Sequence, residues 1–171
     1  MNFIENYYKN IIKYDLLNRF QYKNLKKLPQ LKNIILSFSC KNSNTNQIMP
    51  SLLALELIAS QKSLLTLSKN SNISLKIRKG NPVGCKVVLK KKVMYNFLKN
   101  LILNILPNQV KFKKNSLILK NSLVFSELEQ QYYLFKDIPK LNISLVCNSI
   151  NSFELFFLLN SLKLAGSKKS L

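Results

Sequence analysis

The hydrophobic residues of the chain recur at two spacings, one typical of amphipathic helices and one typical of strands. Helical spacing predicts a first helix over residues 3–20, a second over residues 50–60, beginning at Pro50, and a last one over Phe153–Leu164. The clearest pattern runs from Met94 to Ile105, where apolar residues fall at i, i+3, i+4, i+7, i+8 and i+11. These stretches predict helices that each bury one face.

Strands are predicted where apolar and polar residues alternate or where a short apolar run stands between turn residues. Leu31–Phe38 and Leu141–Cys147 are runs of this kind. Apolar residues also alternate through Ile73–Arg78 and again through Val83–Leu89, on either side of the turn-forming sequence Lys79-Gly80-Asn81-Pro82. These two stretches predict a β-hairpin with an apolar face toward the core. Its other face carries Lys76, Arg78, Lys86 and Lys90.

The order of these elements indicates the fold class. A second hairpin is predicted within Ser116–Phe125. Helices and strands then follow one another without a regular strand-helix-strand rhythm, which predicts an α+β fold: a mainly antiparallel sheet with helices packed on one face. A length of 171 residues favours a single domain over residues 1–171, with an ordered core at about 3–164 and a tail at 165–171.

The charge of the chain predicts the kind of partner. Lys and Arg total 27 against seven acids, a net charge of +20. Between Glu56 and Glu127 there is no acid, whereas the same interval holds fourteen Lys or Arg residues. This predicts a basic face for a polyanion, and nucleic acid is favoured because phosphate contacts release counterions. The alternative is a basic surface that is solvated and binds no partner. The Lys- and Asn-rich composition is typical of an AT-rich genome, which raises the net charge independently of function.

Several chemistries are excluded by the residues that the chain lacks. There is no His, and Cys40, Cys85 and Cys147 stand apart without metal-ligand spacing. We therefore expect no metal, no cofactor and no catalytic residue, and the cysteines are expected to be free thiols. A metal-dependent nucleic-acid-processing enzyme would need clustered carboxylates, which the acid-free middle of the chain opposes.

The longest apolar run, Phe153–Leu164, is too short and too interrupted to span a membrane. Its aromatic residues Phe153, Phe156 and Phe157 leave open a peripheral protein that binds an anionic membrane. Packing of these rings in the core is the favoured interpretation, and no membrane partner is expected.

A resemblance to a known family makes this picture more specific. The sequence KIRKGNPVGCKVVLK at residues 76–90 closely resembles the motif F-K-I-R-x-G-x-P-[IV]-G-C-x-V-T-L-R of the large-subunit ribosomal protein five family, which binds 5S rRNA. Ser60-Gln61-Lys62 stands where the family has G-Q-K, and Met94–Leu98 is similar to its M-[YW]-x-F-[LF]. The resemblance extends from about residue 3 to residue 164.

The resemblance implies a non-enzymatic constituent of the central protuberance of the large subunit. The implied partners are 5S rRNA, large-subunit rRNA, the P-site tRNA and other ribosomal proteins, including one of the small-subunit head. The implied rRNA-binding residues are Ser37, Gln61, Lys62, Lys86, Val88 and Lys90. The implied tRNA-facing loop comprises Lys76, Ile77, Arg78, Lys79, Gly80, Asn81, Pro82 and Val83. A general basic RNA-binding protein is the alternative.

The chain departs from the family motif at a few positions. Ser37 replaces an asparagine, Val88 a threonine and Lys90 an arginine, so that hydroxyl and guanidinium contacts are lost. Residues 108–111 replace most of the family's R-[IV]-R-D sequence. The N-terminus has early acids and no arginine before Arg19, unlike a transit peptide. We therefore expect an organelle-encoded protein of the mitochondrial matrix ribosome, with a plastid or a bacterial cytoplasm as alternatives.

Overall fold

The structure is a computed structural model that describes residues 3–22, 24–40, 45–106, 115–149 and 151–164. Helix α1 combines α-helical Phe3–Tyr7, π-helical Tyr8–Ile12 and α-helical Lys13–Phe20. It buries Ile4, Ile12 and Leu16 and ends at Gln21, whose positive φ of 46° stops the helix. The first predicted helix is confirmed.

Helix α2 (Thr45–Ala59) begins earlier than predicted, so that Pro50 lies inside it rather than at its start. The residues before Pro50 include the apolar Ile48, which is buried and fixes the first turns to the core. The Ser51 hydroxyl donates to the Gln47 carbonyl oxygen at 2.6 Å. Burial of one apolar residue therefore extends the helix to the N-terminal side of Pro50, where no helix was predicted.

The remaining helices agree better with the sequence pattern. Helix α3 runs through Lys91–Asn100 and continues as the π-helical segment Leu101–Ile105, which confirms the clearest amphipathic prediction. Two short helices follow, α4 (Ser126–Glu129) and α5 (Tyr132–Phe135), and then α6 (Ser152–Ser161). Short 3₁₀ turns lie at Leu25–Lys27 and Ser122–Val124.

Five strands form one antiparallel sheet, which confirms the α+β prediction. The strands are β1 (Leu31–Ser39), β2 (Leu64–Leu67), β3 (Pro82–Lys90), β4 (Ser116–Leu119) and β5 (Leu141–Cys147). Their order in the sheet is β2-β3-β1-β5-β4. The strands predicted at residues 31–38 and 141–147 are therefore confirmed.

The first predicted hairpin is wrong in its partner strand. Strand β3 pairs with β2, which places Leu64 opposite Lys86 and Leu65 opposite Cys85. The stretch Ile73–Arg78 is instead a loop in which the chain turns over residues 73–76. Ile73, which was expected on the apolar face of a strand, is 94% exposed. The alternation seen there in the sequence does not reflect a buried face.

The second predicted hairpin is also wrong, because β4 has no strand after it in Ser116–Phe125. Residues Ser122–Val124 form a 3₁₀ turn instead. The Asn121 side-chain oxygen accepts a hydrogen bond from the Leu123 N–H at 3.0 Å, which starts this turn. The local hydrogen bond replaces the ladder that a second strand would need.

The chain divides into two compact units. The first consists of Met1–Ile34, Lys90–Leu117 and Ser144–Leu171, and the second of Ile35–Leu89 and Ile118–Ile143. Each unit buries its own apolar residues: Ile12, Leu16, Leu98 and Leu158 in the first, and Phe38, Leu55, Val87 and Phe135 in the second. The single domain over residues 1–171 stays a prediction. The expected tail at 165–171 and the replaced sequence at 108–111 lie outside the described residues.

The prediction that the aromatic rings of the last helix pack in the core is wrong for two of them. Phe153 is 78% exposed and Phe156 is also exposed. Phe157 packs edge-on against Phe20 at 5.8 Å, and the Arg19 guanidinium lies 4.9 Å from its ring centre. Within the described ranges, the structure has no helix with the length and apolar character needed to cross a membrane.

Candidate nucleic-acid interface

Strand β3 separates apolar from basic residues as the sequence predicts. Cys85, Val87 and Leu89 are buried, and the residues between them point to the other face. On that face Lys86 is exposed and Val88 is half-buried. Lys90, the last residue of the strand, is also exposed. Two lysines of the predicted set thus project into solvent from a rigid strand.

Gly84 allows β3 to lie close to the neighbouring strand β1. A Cβ atom at this position would clash with the Phe38 carbonyl oxygen and would also lie 3.2 Å from the Thr66 hydroxyl. Because a carbonyl oxygen of the backbone cannot move aside, the strands keep this spacing only with glycine. Gly84 therefore positions the residues that follow it in β3.

Residues 68–81 connect β2 to β3, and we call them the basic loop. The Ser68 N–H donates to the Asn81 carbonyl oxygen at 2.9 Å, and the Gly80 N–H donates to the Ser68 carbonyl oxygen at 3.0 Å. Gly80 has a φ of 87°, as its role in a turn requires. These bonds close the base of the loop beside the sheet.

The far part of the basic loop forms a turn of its own. Asn72 and Ile77 exchange two backbone hydrogen bonds of 2.8 and 3.0 Å. The Asn72 side-chain oxygen accepts from the Leu75 N–H at 3.3 Å and from the Ser74 hydroxyl at 2.6 Å. Lys76 closes the turn with a φ of 53°. Local hydrogen bonds therefore order the loop, together with the buried side chain of Ile77.

The structure divides the residues that the resemblance assigns to the tRNA-facing loop into two groups. Lys76, Arg78, Lys79 and Gly80 are exposed. Ile77 is buried, and Asn81, Pro82 and Val83 are half-buried, with the last two already in β3. The basic side chains therefore face solvent, while the apolar residues of the same motif hold the loop to the sheet.

The exposed cations of the basic loop are not neutralised by ion pairs within the described part of the chain. Lys76, Arg78 and Lys79 form no ion pair with any residue that the structure describes. The ion pair found among those residues joins Lys9 Nζ and Glu5 Oε1 at 2.7 Å, and Lys9 lowers the pKa of the Glu5 carboxyl. Unpaired exposed cations of this kind are available for phosphate oxygens.

Gln61 and Lys62 lie in the turn between α2 and β2, and both are exposed. Glu56 holds this turn, because its Oε1 accepts from the Ser63 N–H at 3.0 Å and from the Ser63 hydroxyl at 3.3 Å. Ser60 precedes the pair with a φ of 51°. Sequence reasoning missed this positioning role, since an acid seven residues before a serine forms no recognised motif.

Ser37 lies in the middle of β1, half-buried between Leu36 and Phe38, which are both buried. Since β1 is next to β3 and their buried residues share the core side, Ser37 shares the opposite face with Lys86 and Val88. The structure thus brings these three predicted residues to one sheet face. Gln61 and Lys62 lie at the end of α2 and are not strand residues.

The cysteines offer no alternative chemistry. Cys40, Cys85 and Cys147 are free, as predicted. Burial raises the pKa of Cys85 to about 12 and that of Cys147 to about 11, so that both are thiols at neutral pH. Among the described residues there is also no group of three His, Cys, Asp or Glu that could hold a metal ion.

Comparison with known proteins gives one consistent result. No protein-family model matches the chain. The chain is 34% identical to the large ribosomal subunit protein uL5m of Reclinomonas americana, over 99% of this chain and 100% of the relative. It is 33% identical to uL5 of Helicobacter acinonychis, over 96% and 97%, and 32% identical to uL5m of Prototheca wickerhamii, over 82% and 69%. With a relative this similar matched along its full length, the chain belongs to the large ribosomal subunit protein uL5 family.

Proposed function

We propose that the chain, a structural and non-enzymatic member of this family of ribosomal proteins, binds 5S rRNA and neighbouring large-subunit rRNA in the central protuberance. Family membership supports a place in the large subunit. The observation that carries the RNA-binding part is the set of exposed cations on β3 and the basic loop, which have no described acidic partner. Phosphate contacts by such residues supply most of the affinity for RNA.

The proposed rRNA contacts use the sheet face and the turn after α2. Lys62, Lys86 and Lys90 are exposed and would neutralise phosphates, and Gln61 would hydrogen-bond to sugar or base edges. Ser37 and Val88 are half-buried beside them and would contact the RNA through shape rather than charge. In this proposal Lys90 makes a point-charge contact, because it lacks the planar fork of an arginine.

The basic loop is proposed to contact the P-site tRNA rather than 5S rRNA. Its exposed residues Lys76, Arg78 and Lys79 lie beyond the closed base of the loop. A projecting, ordered and positively charged turn suits the backbone of a second RNA. Contacts to other ribosomal proteins, including one of the small-subunit head, belong to the same proposal.

Binding across a range of salt concentrations tests the proposal. The purified chain is titrated with 5S rRNA, with a 23S-type fragment and with anionic liposomes. We expect the tightest binding to 5S rRNA, with log affinity falling by roughly 0.7 to 0.9 per log unit of salt for each phosphate contact. Equal affinity for an unrelated RNA of the same length would indicate general basic RNA binding. Tighter binding to liposomes would replace the RNA proposal altogether.

We also propose that the chain works in a mitochondrial ribosome. Two of the similar relatives, from Reclinomonas americana and Prototheca wickerhamii, are named uL5m. Sedimentation of mitochondrial extracts followed by immunodetection tests this. Recovery with the large ribosomal subunit is expected, and recovery only from plastid or bacterial ribosomes would contradict it.

A further inference from the structure

Helix α6 presents aromatic rings to solvent. Phe153 is 78% exposed and Phe156 is 38% exposed, whereas Phe157 is half-buried. These residues are spaced at i, i+3 and i+4, so their side chains share one face of the helix. Leu158 and Leu159 are buried on the other side. We call Phe153, Phe156 and Phe157 the aromatic face.

Arg19 of helix α1 lies against the aromatic face. Its guanidinium is 4.9 Å from the centre of the Phe157 ring, and Phe20 packs edge-on against the same ring at 5.8 Å. Arg19 is exposed and forms no ion pair with any residue in the described ranges. A guanidinium that rests on a ring keeps its N–H groups available for other partners. The aromatic face therefore has an unpaired cation fixed beside it.

Acids contribute little to this surface. Glu154 is the one acid in Ser152–Ser161, and its side chain is buried. Asp15 is exposed one turn before Arg19 on α1, but the two are not joined by an ion pair. Residues 152–161 also contain no Lys or Arg. The exposed part of α6 is therefore aromatic and uncharged, and the charged group held on it is a cation.

The size and charge of the aromatic face favour unpaired RNA as its occupant. A stable protein interface needs roughly 800 Å² from each partner, and two exposed rings supply far less. A second copy of the chain would bring another net charge of +20. Stable membrane anchoring needs a second signal, such as a polybasic patch, beside a small apolar anchor. Bases of single-stranded RNA, in contrast, stack on individual rings, and arginine adds a contact to phosphate.

We propose that the aromatic face binds an unpaired segment of RNA, whose bases stack on Phe153 and Phe156 while Arg19 contacts a phosphate. Stacking requires only the flat face of a ring, so little preference among bases is expected. The site is formed by α1 and α6 within the first unit. It uses none of the residues proposed above to contact rRNA or tRNA, and it therefore goes beyond that proposal.

A single-stranded RNA that contains no 5S rRNA sequence tests the inference. The probe is a short fluorescent oligoadenylate, and its control is an abasic oligomer with the same number of phosphates. The purified full chain is expected to bind the oligoadenylate at least about fivefold more tightly than the abasic oligomer, because base stacking supplies the difference. Both oligomers carry the same charge, so the net charge of the chain does not explain a difference.

Variants that keep the charge constant locate the site. Phe153→Leu keeps an apolar side chain but removes the ring, and it is expected to weaken oligoadenylate binding at least about fivefold. Phe153→Tyr keeps the ring and should bind as the wild type does. Tyr133→Leu, at a tyrosine of α5 that is 77% exposed, is the control and should leave the affinity unchanged. Circular dichroism checks folding, and Phe156→Leu replaces Phe153→Leu if the latter does not fold.

The salt dependence of binding tests the role of Arg19. Arg19→Gln should reduce the slope of log affinity against log salt by roughly 0.7, the value for one phosphate contact to a single strand. Phe153→Leu should leave the slope unchanged. Lys136→Gln, which removes the same charge from an exposed lysine, should also leave it unchanged. An equal change of slope in Arg19→Gln and Lys136→Gln would contradict a phosphate contact at Arg19.

Crosslinking in the assembled particle identifies the occupant. A photoreactive phenylalanine analogue replaces Phe153, and irradiation of purified large subunits is expected to crosslink it to rRNA. A crosslink to protein alone, or none to RNA, would overturn the inference. Equal weakening of oligoadenylate binding by Phe153→Leu and Tyr133→Leu would do the same.

Two parallel measurements separate this site from the other interpretations. Binding to vesicles of phosphatidylcholine and phosphatidylglycerol should be the same for the wild type and Phe153→Leu. If Phe153→Leu lost vesicle binding and kept oligoadenylate binding, the aromatic face would be a membrane contact. The affinity of Phe153→Leu for 5S rRNA should stay within about twofold of the wild type, because the proposed 5S rRNA contacts lie elsewhere. Failure of the 5S rRNA proposal would therefore leave the oligoadenylate result unchanged.

Discussion

The Glu56 carboxylate accepts two hydrogen bonds from Ser63, one from its backbone N–H at 3.0 Å and one from its hydroxyl at 3.3 Å. The Ser63 hydroxyl also lies 3.3 Å from the Leu52 carbonyl oxygen. A side chain of α2 therefore sets the path of the chain into β2. Between the two residues lie Gln61 and Lys62, which are both proposed to contact rRNA.

Removal of this carboxylate is expected to loosen the turn. Glu56→Ala leaves the Ser63 N–H without its acceptor, while the Ser63 hydroxyl keeps the Leu52 carbonyl oxygen, and should lower the free energy of unfolding by about 1–2 kcal/mol. Urea denaturation measures the change. Glu127→Ala, at an exposed acid of α4, is the control and should change stability by no more than about 0.5 kcal/mol. Equal effects of the two substitutions would contradict a specific role for Glu56.

The two glycines of the β3 motif should respond differently to alanine. Gly84→Ala forces a Cβ atom against the Phe38 carbonyl oxygen and should destabilise the chain by about 2 kcal/mol or more. Gly80→Ala meets open space but keeps a φ of 87°, so we expect a loss of about 1 kcal/mol. Thermal and urea unfolding compare the two variants. If Gly80→Ala lost more unfolding free energy than Gly84→Ala, the close spacing of β3 and β1 would not depend on Gly84.

Removal of charge from the basic loop should separate the two proposed RNA contacts. Arg78→Ala/Lys79→Ala is expected to leave 5S rRNA affinity within about twofold and to reduce crosslinking of the loop to P-site tRNA, because these side chains lie beyond the base of the loop. The control is Lys136→Ala/Lys140→Ala, which removes the same charge at two other exposed lysines. If the loop variant lost 5S rRNA affinity and tRNA crosslinking to the same extent, the two contacts would not be separate.

Tyr8 should make stability fall at high pH. Its hydroxyl donates to the Pro29 carbonyl oxygen at 2.9 Å, and burial raises its pKa to about 12 from an ordinary value of 10.0. A raised pKa means that the neutral form is favoured in the folded state. The contribution of neutral Tyr8 to the free energy of unfolding is therefore fully present below pH 10, and it is lost as the pH rises toward 12.

Tyr8→Phe tests this pH dependence. The variant loses the bond to Pro29 and should be less stable by about 1 kcal/mol at pH 7. Its stability should decline less than that of the wild type between pH 10 and pH 12. Urea midpoints at several pH values give the comparison, and Tyr133→Phe, at an exposed tyrosine, is the control. Parallel declines in Tyr8→Phe and the wild type would exclude Tyr8 as the titrating group.

The sequence was sufficient to predict a helix or strand where the pattern involves only residues that are near neighbours in the chain. The alternation in β3 and the helical spacing of α3 each follow from residues that are near neighbours, and both are confirmed. The partner of β3 was not predictable in this way, because Leu64–Leu67 is a short apolar run without alternation. The Ile73–Arg78 stretch imitates a strand, yet the Asn72 side chain turns it back on itself. Pairing depends on tertiary structure that local periodicity does not encode.

The candidate interface was predictable in chemistry but not in arrangement. An interval without acids predicts a basic surface, and the exposed lysines of β3 and the basic loop agree with it. The individual rRNA- and tRNA-contacting residues came from resemblance to a family, and they stay predictions. The role of Glu56 and the exposure of the aromatic face of α6 required the structure, because both depend on which side of a helix faces its neighbours.

The closed base of the basic loop also bears on how the loop meets a partner. Two backbone hydrogen bonds at Ser68 and an internal turn at Asn72 already order the segment in the free protein. A segment that is ordered beforehand loses little conformational entropy on contact. If the loop binds RNA as proposed, we expect its affinity to depend on the charge of the loop, so that lysines can be gained or lost there without altering the sheet that supports them.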